Sequence, residues 1–137
     1  MPLAAFNYHI CLGGPEHLFD LESDARGGGG CTHWTINKRA RSKDFALFYL
    51  TAPISGIVAR GRILRDARRE CTDANGWNNR FMTEIADLTL FPQPLRRAAL
   101  RNRIPDWGYW HSPILSHQVP ARFIAALETL LRDQNDS

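Results

Sequence analysis

The run DFALFYLTAPISGIVARGRIL, from Asp44 to Leu64, leaves this chain few ways to fold. Residues 45–50 are apolar at every position, so a strand formed there must be covered on both faces and belongs at the centre of a sheet. The TAPIS segment turns the chain, and GIVARGRIL alternates well enough to return as the antiparallel partner. Such a hairpin needs other elements beside it, above it and below it. With 137 residues, 44% of them hydrophobic, the chain can build one such core, and nothing in it signals a second domain.

The flanking segments supply candidates for those elements. Ala4–Gly13 is short, aromatic and β-branched and reads as a first strand stopped by Gly13-Gly14-Pro15. PEHLFDLESD then fits a short helix with Pro15 in its first turn. Ala25–Gly30 ends in four glycines, a costly stretch to order, which marks a loop or a close backbone approach. Trp34–Arg41 is predicted to form a helical turn or two. RDARRECTDANGWNN reads as a polar connection, and RFMTEIADLTLF as a further strand. PQPLRRAALRN is predicted to restart as a helix after Pro92 and Pro94, with a short strand near Ile114–Val119. The last segment, opened by Pro120, places Phe123, Ile124, Leu127, Leu130 and Leu131 on one helical face. The order predicts an α+β domain spanning 1–137, with a strongly curved sheet closed as a small barrel and residues 132–137 as a disordered tail.

Charge adds a chemical preference. The net charge is only +3, yet fifteen of the 17 basic residues are arginine, with Lys38 and Lys43 the lysines. Arginine's planar fork suits phosphates and base edges, although a GC-rich coding sequence would give the same bias. Three cysteines, Cys11, Cys31 and Cys71, lack CxxC spacing, which argues against a disulfide framework or zinc knuckle. The five histidines show no HxxxH or HExxH spacing, and the GGGG run lacks the lysine of a phosphate loop, so neither a metal nor a cofactor is expected. No signal peptide or membrane-length apolar run is apparent, and a reduced, cytoplasmic protein is the default expectation.

Several of these segments, taken in order, resemble a known family. They are the first strand with GGPEHLFDL, the WTINKRARSKD turn leading into FALFYLTAPISGIVARGRI, and the isolated Trp77 before a strand. PQPLRRAALRN, then ILSHQVP and an amphipathic helix, complete the pattern from about Phe6 to Leu131. The whole resembles an EVE-type domain of the PUA-like superfamily, related to YTH and ASCH domains. The resemblance implies a small mixed-sheet β-barrel with surrounding helices and an aromatic-walled cavity for a modified base of DNA or RNA. It assigns the pocket to Trp34, Asn37, Tyr49 and Trp77, with Ser116 and Gln118 near the chain end. Three departures stand out: Gly13-Gly14-Pro15-Glu16 replaces a Lys-Ser-Glu-Pro-like run, the segment between Trp34 and Asp44 is shorter than in the commonest members, and Lys43 stands where the family usually has glycine.

The chemistry of such a pocket agrees with these residue types. A flipped-out base needs apolar or aromatic faces and a few edge-directed polar groups. Tryptophan and tyrosine supply the faces, and Asn37 offers both a donor and an acceptor, although aromatics also fill small cores. Lys38, Arg39, Arg41 and Lys43 follow closely and would meet the flanking phosphates. Two further basic groups, Arg60, Arg62, Arg65, Arg68 and Arg69, then Arg96, Arg97, Arg101 and Arg103, either extend that footprint or form solvated faces. DWGYWH (Asp106–His111) is a core plug, a dimer contact or a pocket lip. The expected function is therefore non-enzymatic capture of a modified base in DNA or RNA. The alternatives are an ASCH-like enzyme using Glu16, Asp44 or Glu84 as acid or base, and a protein-interaction domain.

Overall fold

In a computed structural model the described residues are 7–26, 32–36, 39–70, 80–111 and 117–135. Seven strands form one mixed sheet: β1 (Tyr8–Gly13), β2 (Thr32–Thr35), β3 (Phe45–Leu50), β4 (Gly56–Ile63), β5 (Arg68–Glu70), β6 (Arg80–Arg96) and β7 (His117–Gln118). Hydrogen bonding follows the path β2-β6-β4-β3-β1-β7, with β5 also on β6. β1 runs parallel to β3, and the other pairings are antiparallel. Among the described residues three α-helices, α1 (Leu18–Arg26), α2 (Arg97–Arg103) and α3 (Ala121–Asn135), with two short 3-10 turns, complete the α+β domain around this curved sheet.

The apolar run at 45–50 is central, as its pattern requires. Alternate residues of β3 enter two different cores. Leu47 and Tyr49 join Tyr8, Ile10, Ile57 and Leu95 under α2 and α3, while Ala46, Phe48 and Leu50 join Cys11, Val58, Ala59, Ile63 and Ile85. Leu21 of α1 closes the second core. On α3, Phe123, Leu127 and Leu131 recur at helical spacing and are buried, each worth about 1.5–3 kcal/mol, so the helix docks through one face. Gly56 allows the return strand to approach: a Cβ there would lie 2.9 Å from the carbonyl oxygen of Leu95.

Four sequence expectations need correction. Residues 32–35 form strand β2, pairing with β6 at Thr32↔Ile85 and Trp34↔Thr83, rather than the start of a helical turn. Two β-branched threonines and a β-forming tryptophan favour that outcome once β6 offers an edge. Arg68–Glu70, expected in a polar connection, instead pair with Arg80–Met82 as the short charged strand β5. The helix expected after Pro92 begins only at Arg97, because β6 continues through both prolines. The register against β4 jumps from Ile57↔Leu95 to Ala59↔Leu90, so Pro92 and Pro94 fall in the irregular stretch, where no ladder donor is required. Finally, α3 continues to Asn135 and takes in residues assigned to a disordered tail.

Candidate nucleic-acid interface

The described residues between β2 and β3 are fastened to the rest of the fold. Ile36 and Ala40 are buried in the second core, and Ala40 accepts a backbone hydrogen bond from Ala67 N at 3.0 Å. Asp44 holds the end of the turn. Its Oδ1 accepts from Asn7 N and its Oδ2 from Arg41 N, both at 3.1 Å, and Oδ2 also accepts from His9 Nε2 at 2.8 Å. His9 is wholly buried and Asp44 is 4% exposed, so the bond between them is made away from competing water. Beside them, Lys43 N donates to Ile63 O at 2.8 Å, and Ser42 N donates to Asp66 Oδ1 at 2.9 Å.

Above this anchorage the side chains of Arg39, Arg41 and Lys43 are exposed. Lys43 has φ 79°, in the left-handed region that costs a residue with a Cβ about 1–2 kcal/mol. Its position therefore asks for glycine on conformational grounds and carries a cation instead. The result is a ledge with three exposed positive side chains next to the start of the central strand, where Arg41 Nη1 also donates to the carbonyl of Ala40 at 3.0 Å.

The proposed pocket residues are distributed unevenly. Asn37, Trp77 and Ser116, and Lys38 among the cations, lie outside the described residues, and for Trp34 only the β2 backbone is described. Tyr49 is buried in the helix-side core, its ring 5.3 Å from that of Trp110. Burial pushes its hydroxyl pKa up, opposed by the Arg97 charge and a hydrogen bond with Ser55. The buried residues of the turn, Ile36 and Ala40, belong to the other core, so Tyr49 and the ledge are served by different faces of β3. Gln118 is half-buried on β7, opposite His9.

The DWGYWH segment is a core plug. Trp107 and Trp110 are buried, with Trp107 stacked on Phe123 at 5.4 Å and edge-on to Trp110 at 5.1 Å. Arg97 Nε donates to the Trp110 carbonyl at 2.6 Å, and Arg96 donates to Ile54 O at 2.7 Å, so part of the third arginine group binds the fold together. Arg65 pairs with Glu84 at 3.3 Å. Among the described residues no three His, Cys, Asp or Glu side chains converge as metal ligands, and no helix is long and apolar enough to cross a membrane.

Solved structures share this architecture over about 90% of the chain. Rpa0253 from Rhodopseudomonas palustris is 20% identical, with a TM-score of 0.69 over 90% of this chain and 92% of that one. Human THYN1, solved in complex with 5-methylcytosine-containing DNA, is 14% identical, with a TM-score of 0.68 over 91% and 97%. A mutant ASCH protein from Zymomonas mobilis is 8% identical, with a TM-score of 0.61 over 90% and 97%. No family model matches the chain, and no curated protein does. The fold is PUA-like.

Within that PUA-like frame, two features escaped sequence reasoning. His9 and Asp44 are 35 residues apart, and only the parallel pairing of β1 with β3 brings them together. Phe45, taken as one apolar residue of a buried strand, is half-exposed, with Tyr8 stacked on it at 5.1 Å and the guanidinium carbons of Arg62 and Arg60 at 4.8 and 5.5 Å from its centroid. The alternation of Arg60 and Arg62 on β4 was the available signal for that second arrangement.

Proposed function

We propose that this chain is an EVE-type, non-enzymatic module that binds nucleic acid and captures a flipped-out modified base in an aromatic-lined pocket. Trp34, Asn37, Tyr49, Trp77, Ser116 and Gln118 are its proposed pocket residues, and Lys38, Arg39, Arg41 and Lys43 its contacts to the flanking phosphates. The observation that carries the proposal is the ledge of exposed cations whose backbone is anchored at Arg41 by buried Asp44, in a fold shared with a protein solved on 5-methylcytosine DNA. A turn whose backbone is already hydrogen-bonded loses less freedom when its cations engage phosphate, which favours binding. Tyr49 is buried against Trp110 on the opposite face of β3 from the core under the ledge, so its place among the pocket residues rests on the resemblance.

An ASCH-like enzyme is the second possibility, favoured by the likeness to the Zymomonas mobilis protein. Its candidate acids are already engaged: Asp44 by His9 and two backbone donors, and Glu84 by Arg65. Glu16 is exposed. A group committed to structural hydrogen bonds is poorly placed to cycle a proton.

The test is a binding series with duplexes and single strands of DNA and RNA, plain and carrying 5-methylcytosine or other modified bases, with Trp34→Ala as control. Tighter binding to one modified oligonucleotide, lost in the variant, is the expected result. Equal weak binding to all, unchanged by the variant, rejects base capture, and release of a free base or cleaved product favours the enzyme.

A further inference from the structure

We propose that Leu64, the exposed aliphatic residue just beyond β4, is a wedge that enters the base stack of a duplex and fills the gap left by the captured base. This role rests on the base capture proposed above and adds that the base is taken from double-stranded nucleic acid.

Leu64 is 42% exposed, and among the described residues only Phe19 of α1 is another large apolar side chain so open to solvent. A lone apolar residue on a surface is ordinary in itself, so its setting decides. Leu64 N donates to Glu84 O at 2.9 Å, and its own carbonyl accepts from Ser42 Oγ at 3.0 Å. The carbonyl before it, Ile63 O, accepts from Lys43 N at 2.8 Å. The backbone that carries Leu64 is therefore bonded both to β6 and to the turn that displays Arg41 and Lys43. The proposed pocket is close by as well. Trp34 pairs with Thr83 on β6, and Thr83 Oγ1 donates to the Arg65 carbonyl at 2.6 Å. Neighbouring strands lie about 4.8 Å apart, so the backbones of Leu64 and Trp34 flank β6 at about 10 Å from each other. Ledge, pocket residue and wedge share one corner of the sheet.

The chemistry suits a base step. Taking a base out of a duplex unstacks its neighbours, and an apolar side chain entering the step offsets that cost. Leucine is among the residue types that act as such wedges, and it brings no polar group to be desolvated. With its backbone already bonded, the freedom lost on insertion is that of the side chain alone. The two acidic neighbours are engaged within the fold: Asp66 Oδ1 accepts from Ser42 N at 2.9 Å, and Glu84 pairs with Arg65 at 3.3 Å. Phe19 supplies the contrast, because its helix also carries Asp20, Glu22 and Asp24, charges that repel a phosphate backbone.

The experiment measures binding of the full chain to one DNA sequence and its RNA counterpart, each as single strand and as duplex. Each is plain or carries a single 5-methylcytosine or N6-methyladenine, with 2-aminopurine next to that position as a fluorescent reporter of unstacking. Wild type, Leu64→Ala and Leu64→Met are compared, with thermal melting as the check on folding. Leu64→Ala should weaken the preferred modified duplex about tenfold and reduce the 2-aminopurine signal on it. The same variant should bind the modified single strand within about twofold of wild type and melt at the same temperature. Leu64→Met, which keeps an apolar side chain of similar volume, should retain most of the duplex affinity. Equal loss on single strand and duplex, or loss on neither, overturns the wedge and, with the preference for the modified base intact, leaves base capture standing. A wild type that takes the modified base only from single strands has the same meaning. Failure of the wild type to prefer any modified oligonucleotide over its plain form overturns base capture and the wedge together.

Discussion

His9 Nε2 donates to Asp44 Oδ2 at 2.8 Å, joining the second residue of β1 to the residue that precedes β3. Together with Phe45 N donating to Asn7 O, this bond sets the parallel register of the two strands at the point where the cationic ledge ends. One side chain thus serves both the sheet and the exposed turn.

Asp44→Ala removes the acceptor for His9, Asn7 and Arg41 at once, and the His9 ring is wholly buried. The expected cost is about 3 kcal/mol, from lost hydrogen bonds and the buried donor left behind. Urea unfolding of variant and wild type checks it. A loss below about 1 kcal/mol would mean that water replaces the carboxylate without difficulty.

Much of this architecture is legible in local pattern. The continuous apolar run at 45–50 and the helical spacing of Phe123, Leu127 and Leu131 report burial directly, because each needs only its own neighbours in sequence. β2 and the late start of α2 are different: both are decided by β6, whose bulged, 17-residue course no local window contains. The site divides in the same way. The exposed cations at 39, 41 and 43 can be read from sequence, whereas the His9–Asp44 bond and the Phe45–arginine group exist only through long-range pairing.

All three tyrosines are shifted upward, Tyr8 to about 12, chiefly by burial and then by Glu128 beside its hydroxyl. Burial likewise raises Tyr49 and Tyr109. A phenol that holds its proton longer in the folded state stabilises that state below the ordinary value near 10, and this contribution is lost as pH rises through the folded value. Ultraviolet titration of the folded protein should therefore show no tyrosinate step near pH 10, ionisation coming at higher pH or together with unfolding. A full step near 10 with far-ultraviolet dichroism unchanged would contradict the burial of these hydroxyls.

Gly56→Ala is expected to destabilise by about 1–3 kcal/mol, since the added Cβ would press on the backbone of Leu95 and Arg96, which cannot rotate away. Gly108→Ala is the control, because a Cβ there meets nothing within 4 Å. Melting curves of the two variants separate a requirement for close approach from a general intolerance of substitution at glycine. Equal effects at both positions would remove the packing explanation for Gly56.

Lys43 gives the sharpest separation of function from stability. Its φ of 79° would suit glycine, so Lys43→Gly relieves the Cβ strain while adding freedom to the unfolded chain. These terms oppose each other, and the net effect should be between no change and about 1 kcal/mol of added stability. The same substitution removes one exposed cation from the ledge, so the salt slope for nucleic-acid binding should fall by about 0.9, if that lysine meets one phosphate. Lys43→Arg, which keeps both the strain and the charge, should leave both quantities near their wild-type values. A glycine variant that is no less stable yet binds more weakly would show that the strained backbone is kept for the charge it displays. A glycine variant with unaltered binding would place the phosphate contacts elsewhere on the turn.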